Sequence, residues 1–234
     1  MKIEDYKDAL QDQTVVIIGN GPGLLNIPLA FLIYYPNFGL NFFPKKFPWI
    51  HLDYWCATDP LCLVNIPEID LGTPRFVSPW AMERAEIEGW ADKRTLPVML
   101  QDKIKGLGWG EGTQRGTRYS TSLLFASHIA IYMGARRLLW VGMDCTFSTE
   151  PASKIAEEVL LETGHSHVPH FYDRKDGSFQ ASWCKQAGKL YEWAKECGVE
   201  IINCSIPTMC DSVPLGDYRD YWKEPDQLIP VSTP

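Results

Sequence analysis

Four polar residues, each at the end of an apolar segment, are the side chains of this sequence best suited to bind a ligand. They are Asn20, Asn41, Asp59 and Asp144. If the four segments are parallel strands, their carboxyl ends meet at one edge of a sheet, where α/β proteins bind ligands. Asn and Asp are also common turn residues, so it is the set of four, rather than any one of them, that indicates a polar binding edge.

The first of these residues lies in a glycine-rich turn, Gly19-Asn20-Gly21-Pro22-Gly23, which follows the apolar segment 14–18. Glycines let the backbone approach a phosphate closely, and a helix N-terminus after such a turn favours anions. The turn is not a dinucleotide fingerprint, because position 24 is Leu and no acidic residue stands about 20 positions on. No Gly-Lys-Ser/Thr follows, which excludes a P-loop. A phosphate cradle and a tight turn without a ligand both remain open.

The apolar pattern predicts short strands alternating with helices, which is typical of a mostly parallel sheet. Ser120 to Met133 is predicted to be a helix, with Ser120 or Thr121 as its N-cap and Gly134 as its stop. A second helix is expected over 179–197, and 153–162 could form a short one. The predicted strands are 14–18, 36–43, 51–59, 74–78, 138–141 and 199–204.

Length and composition fit one globular domain. The chain has 234 residues and a net charge of −7, which argues against broad non-specific nucleic-acid binding. We expect a single nucleotide-binding α/β domain over 1–222, a lid-like insert over about 145–178, and a Pro-rich tail over 223–234. The seven cysteines include no C-x-x-C pair, which favours free thiols over a zinc site. With no signal peptide or long apolar run, we expect a cytoplasmic protein without a membrane span.

Several of these features together resemble a known superfamily. They are Gly-Asn-Gly-Pro after a strand, Asn41 at the end of the second strand, Ala57-Thr58-Asp59 at the third, and Gly142-Met143-Asp144 after a late one. This set resembles the bacterial sialyltransferases of glycosyltransferase family 42. It also resembles the 6-hydroxymethylpterin diphosphokinase MptE-like domains, a group that includes flagellin-modifying motility accessory factors. The resemblance implies a single Rossmann-like domain, a variant of the GT-A fold, with helices flanking a mostly parallel sheet.

The resemblance also implies roles for individual residues. His170, or alternatively His165, would be the general base, and Arg118 or Arg115 would offset charge on a leaving phosphate. Nucleotide binding would involve Gly19, Asn20, Gly21, Pro22, Gly23, Asn41, Asp59, Thr121, Ser122, Gly142 and Asp144.

The implied activity is transfer of a sugar from a CMP-sugar donor to the hydroxyl of a small-molecule or glycan acceptor, with no cofactor required. One alternative is a Mg²⁺-dependent diphosphokinase, in which Asp59 and Asp144 bind the metal and Trp55, Trp109 or another aromatic side chain stacks on a pterin. Another is a non-catalytic nucleotide- or sugar-binding module, favoured because Cys145-Thr146-Phe147 replaces the tyrosines of the sialyltransferases. The sequence leaves homo-oligomer formation open.

Overall fold

The computed structural model describes residues 2–59, 61–64, 72–87, 95–97, 121–143, 178–205, 208 and 210–222. Within these ranges the chain forms one sheet of seven parallel strands in the order β5-β4-β3-β2-β1-β6-β7. The strands are β1 Thr14–Ile18, β2 Asn37–Leu40, β3 Tyr54–Ala57, β4 Arg75–Val77, β5 Thr95–Pro97, β6 Arg137–Val141 and β7 Glu200–Asn203. The predicted α/β class with a parallel sheet is confirmed.

The strand order reverses beside β1, and this reversal fixes where a ligand would bind. From β1 the chain adds β2 to β5 outward on one side, then returns to place β6 and β7 on the other. Thr14 to Ile18 of β1 pair with Arg137 to Val141 of β6. In open parallel sheets, ligands bind at the carboxyl ends of the strands where the order reverses, here the ends of β1 and β6.

Helices of very different length connect and cover the strands. Among the described residues, three of them have nine residues or more, and the other three are single turns of four residues. They are α1 Leu29–Leu32, α2 Phe43–Lys46, α3 Leu61–Val64, α4 Pro79–Ile87, α5 Ser122–Tyr132 and α6 Ser178–Glu196. The predictions at 120–133 and 179–197 are confirmed as α5 and α6. Three predicted parts of the chain lie outside the described residues: the helix at 153–162, the insert over about 145–178 up to the start of α6, and the tail 223–234.

Both faces of the sheet are buried, which explains the continuous apolar strands. Val15 and Ile17 pack in one core cluster with residues of α5 and α6. Val16 and Ile18 pack in a second cluster with Phe31 of α1. Strands covered on both faces need no polar alternation, so TVVII reads as an unbroken apolar run. No helix of the described part of the chain is long and apolar enough to cross a bilayer.

Helix α5 has a defined boundary at each end. Thr121 is the N-cap, and its Oγ1 accepts a hydrogen bond from the Leu124 N–H at 3.1 Å. At the other end Gly134 has φ of +92°, in the left-handed region that ends many helices. The Leu10 N–H donates to the Met133 carbonyl at 2.8 Å, so the N-terminal segment satisfies a helix-end carbonyl. These contacts fix both ends of α5.

Replacing Thr121 with alanine is expected to lower the free energy of unfolding by about 1 kcal/mol, because the Leu124 N–H loses its acceptor. Thr121→Ser is the matched control, since serine is an equally good N-cap and should retain most of the stability. Urea unfolding followed by circular dichroism measures both. Equal losses in the two variants would show that the methyl group, rather than the hydroxyl, stabilises this position.

Candidate functional site

The glycine-rich turn after β1 packs directly against the turn after β6. The Gly19 N–H donates to the Val141 carbonyl at 2.8 Å, and the Gly21 N–H donates to the Gly142 carbonyl at 3.0 Å. A Cβ atom added to Gly19 would lie 2.5 Å from the Gly142 oxygen. The close approach of the two backbones therefore explains why Gly19 and Gly142 are glycines. It also means that two N–H groups of this turn bond the neighbouring strand end.

Asn20 joins this turn to the end of the next strand. Its Nδ2 donates to the Leu40 carbonyl at 3.0 Å, while the residue as a whole is exposed. Among the described residues, no protein group donates to its Oδ1. The side chain thus has a structural contact on one side and an acceptor facing solvent on the other. Pro22 to Asn26 follow as a 3₁₀ turn rather than a full helix.

Asn41 lies at the end of β2 in a strained and tightly held conformation. Its φ is +49°, in the left-handed region that asparagine tolerates better than most residues. The Asn41 N–H donates to the Cys56 carbonyl at 3.0 Å, and the Asn41 carbonyl accepts from Trp55 Nε1 at 2.9 Å. Such backbone strain persists where surrounding contacts over-determine the conformation, and functional sites are where it concentrates.

The structure brings Asn41 together with the start of α5. Ser122 Oγ donates to Asn41 Oδ1 at 2.6 Å and accepts from the Thr58 N–H at 3.0 Å. Ser122 is 2% exposed and Thr121 is 6% exposed. The hydroxyl of Ser122 therefore bonds both Asn41 and Thr58, and its N-terminal helix position faces the ends of β2 and β3.

Asp59 stands directly after Thr58 at the carboxyl edge, half-buried. Its backbone carbonyl accepts from the Cys62 N–H at 3.1 Å, so it begins the turn that leads into α3. Burial, and secondarily the charge of Asp59, raise the pKa of the Cys62 thiol well above its ordinary value. Cys62 is therefore a protonated hydrogen-bond donor at neutral pH. In the described part of the chain, no three His, Cys, Asp or Glu residues are grouped so as to hold a metal ion.

A buried polar network around Met143 has no counterpart in the sequence-based prediction. The Met143 N–H donates to Ser205 Oγ at 2.6 Å, and the Met143 carbonyl accepts from Thr208 Oγ1 at 2.7 Å. Asn203, fully buried, accepts from the Ser205 N–H through Oδ1 at 3.1 Å. These side chains fix the backbone that follows Gly142. Asn203 ends an apolar strand just as Asn20 and Asn41 do, and that signal was available in the sequence.

The remaining predicted site residues divide into two groups. Trp55 is 1% exposed, so the expectation that it stacks on a pterin is wrong: its ring is a core side chain. The other residues lie outside the described part of the chain, and their roles stay predictions: Trp109, Arg115, Arg118, Asp144, His165 and His170. The nucleotide-binding role of the residues that the structure does bring together also stays a prediction.

The fold is similar to that of a solved structure named as the MAf glycosyltransferase from Magnetospirillum magneticum AMB-1. The two align with a TM-score of 0.59 at 10% sequence identity, over 93% of this chain and 36% of that one. This chain therefore spans little more than a third of the length of that protein. No protein-family model matches the sequence, and comparison with curated proteins finds no relative. The structural similarity establishes that the two proteins share a Rossmann-like α/β fold.

Proposed function

We propose that this chain transfers a sugar from a nucleotide-sugar donor, of the CMP-sugar type, to an acceptor hydroxyl. The similarity in fold to the MAf glycosyltransferase, over 93% of the chain, is the observation that carries the proposal. The sialyltransferase-like residues around Asn20 and Asn41 support the finer choice of a cytidine nucleotide. This chain covers 36% of the MAf glycosyltransferase. That this chain shares the activity of that protein is therefore proposed.

The carboxyl edge of the sheet offers groups of the kind that such a donor needs. Asn20 presents a solvent-facing acceptor oxygen, and the amide nitrogen of Asn41 donates to no protein group among the described residues. The first turn of α5 begins at Ser122, whose Oγ lies 2.6 Å from Asn41 Oδ1. The N-terminus of a helix stabilises negative charge. The donor phosphate would lie near this turn, with the base toward the ends of β1 and β2.

The chemistry of transfer would fall to residues beyond the described part. In our proposal His170, or His165 in its place, takes the proton of the acceptor hydroxyl, because the pKa of histidine lies near neutral pH. The acceptor oxygen attacks the anomeric carbon while the bond to the CMP phosphate breaks. Arg118 or Arg115 would stabilise the negative charge that develops on that phosphate.

The test is a thermal-shift screen of the chain with CMP, CDP, UDP, ATP and GTP, each with and without Mg²⁺. A cytidine nucleotide at 100 times its Kd should stabilise the fold by about 2.7 kcal/mol. For a chain of this length that free energy corresponds to a rise in Tm of about 5–10 °C. We expect CMP and CDP to produce this rise without Mg²⁺.

The other outcomes separate the alternatives. A rise that occurs only with ATP and Mg²⁺ would favour the diphosphokinase, and no rise with any nucleotide would contradict the proposal. Hydrolysis of a CMP-sugar, measured as release of CMP, then distinguishes an enzyme from a binding module. His170→Ala and His165→Ala, compared in the same assay, identify the base by which of them abolishes sugar transfer while CMP binding is retained.

A further inference from the structure

The four residues Asn41, Thr58, Cys62 and Ser122, which we call the Asn41 cluster, meet at the ends of β2 and β3. We infer that Thr58, Cys62 and Ser122 are positioning residues, which hold the Asn41 amide with its oxygen toward the protein and its NH₂ group toward the ligand. The identity of the ligand as a nucleotide rests on the proposed function. The orientation of the amide does not.

The contacts of the Asn41 cluster are short and largely shielded from water. Ser122 Oγ lies 2.6 Å from Asn41 Oδ1, 3.0 Å from the Thr58 nitrogen and 3.0 Å from Thr58 Oγ1. The Cys62 thiol lies 3.6 Å from Asn41 Oδ1. Ser122 and Cys62 are each 2% exposed and Asn41 is 9% exposed. Unmade hydrogen bonds in such a place are costly, so the donors and acceptors must match.

Counting protons leaves two arrangements for the Ser122 hydroxyl, which has one proton and two lone pairs. One lone pair accepts the Thr58 N–H in either case. If the Asn41 oxygen faces inward, Ser122 donates to it and accepts from the Thr58 hydroxyl. If the Asn41 nitrogen faces inward, it donates to Ser122, which then donates to Thr58. The proton count by itself therefore does not decide the orientation.

The length of the Ser122 contact decides between the two arrangements. Ser122 Oγ lies 2.6 Å from the inward atom of the Asn41 amide, a distance typical of O–H···O bonds and shorter than N–H···O bonds. The inward atom is therefore the oxygen, and it also accepts the S–H of Cys62 at 3.6 Å. The side chain is thereby fixed without the need for a bound ligand.

The outward NH₂ group then determines what can bind at this position. Among the described residues, no group accepts a hydrogen bond from Asn41 Nδ2. This nitrogen is not fully buried, so a ligand can reach it. The ligand atom placed there must be an acceptor, such as the carbonyl oxygen or ring nitrogen of a pyrimidine or an oxygen of a phosphate. A ligand group that can only donate is rejected, because two donors would face each other.

The orientation is tested without a ligand by NMR of the full chain labelled with ¹⁵N. The side-chain NH₂ signal that disappears in Asn41→Asp belongs to Asn41. We expect this signal to exchange rapidly with solvent in the wild type, and to become protected when CMP is added. Protection from exchange before any ligand is present would mean that the NH₂ group is bonded inward, and would overturn the inference.

The positioning role is tested by CMP affinity, measured by isothermal titration calorimetry on a matched pair of variants. Ser122→Ala removes the hydroxyl that donates to Asn41 Oδ1 and should weaken CMP binding about tenfold, the effect of losing one buried hydrogen bond. Thr58→Val removes a hydroxyl that contacts Ser122 and not Asn41, and it keeps the backbone N–H that bonds Ser122, so it should bind CMP like the wild type. Equal affinities in the two variants would overturn the positioning role. If the wild type binds no nucleotide, the proposed function fails, and the exchange experiment still decides the orientation.

Discussion

Replacing Gly142 with alanine is expected to lower the free energy of unfolding by about 3 kcal/mol, the sum of left-handed backbone strain and overpacking. Gly142 has φ of +69°, and an added Cβ would lie 3.0 Å from the Gly19 carbonyl carbon and oxygen and 3.3 Å from the Gly21 nitrogen. All three are backbone atoms of the turn after β1, so no side chain can rotate away to relieve the contact.

Two further alanine variants separate the causes of this loss. Gly198 has φ of +75° with nothing within 4 Å of an added Cβ, so Gly198→Ala measures the backbone strain alone, about 1 kcal/mol. Gly19→Ala measures the clash alone, because its added Cβ would lie 2.5 Å from the Gly142 oxygen. Urea unfolding followed by tryptophan fluorescence gives all three values. A loss in Gly142→Ala no larger than that in Gly198→Ala would show that the two turns can separate freely.

Replacing Trp140 with alanine is expected to cost about 4 kcal/mol, in the range for a large aromatic side chain removed from a core. Trp140 of β6 is fully buried, and its Nε1 donates to Ser127 Oγ of α5 at 2.9 Å. The substitution leaves a cavity between the strand and the helix, and it removes the hydrogen bond that joins them. Thermal unfolding by calorimetry should show a large fall in Tm.

Trp140→Phe is the matched control for the hydrogen bond. Phenylalanine fills most of the space of the indole but donates to nothing, so the expected loss is about 1–2 kcal/mol. Ser127 is fully buried, and its hydroxyl would lose this partner. If Trp140→Phe were as damaging as Trp140→Ala, the hydrogen bond rather than packing would hold α5 against β6.

The strands that the sequence predicts and the one that it misses differ for a physical reason. Thr14–Ile18 is apolar throughout because both faces of the sheet are covered, and such a run is recognisable without any neighbour. Thr95–Pro97 contains three residues, one of them a proline that argues against a strand, and it forms because β4 pairs with it. Pairing between distant segments is not visible in local composition.

The candidate site shows the same division. Asn20 and Asn41 are identifiable from the sequence because each is a polar residue that ends an apolar strand. Their unequal surroundings are not: Asn20 is exposed, whereas Asn41 is 9% exposed and held by Ser122, which is 81 positions further along the chain. The predicted nucleotide-binding role of Thr121 and Ser122 likewise took no account of their bonds within the protein. Thr121 Oγ1 accepts from the Leu124 N–H, and Ser122 Oγ donates to Asn41 Oδ1.

The sequence by itself determined the α/β class, the parallel strands, the two long helices and the polar edge, because strand burial, helix caps and glycine turns leave local patterns. Only the tertiary structure decided that β1 and β6 meet at the reversal of strand order, where Gly19 and Gly142 touch. It also decided that Asn41 Oδ1 accepts a hydrogen bond from Ser122 Oγ. Both results depend on atoms brought together from opposite parts of the chain, and such contacts follow from packing rather than from the order of residues.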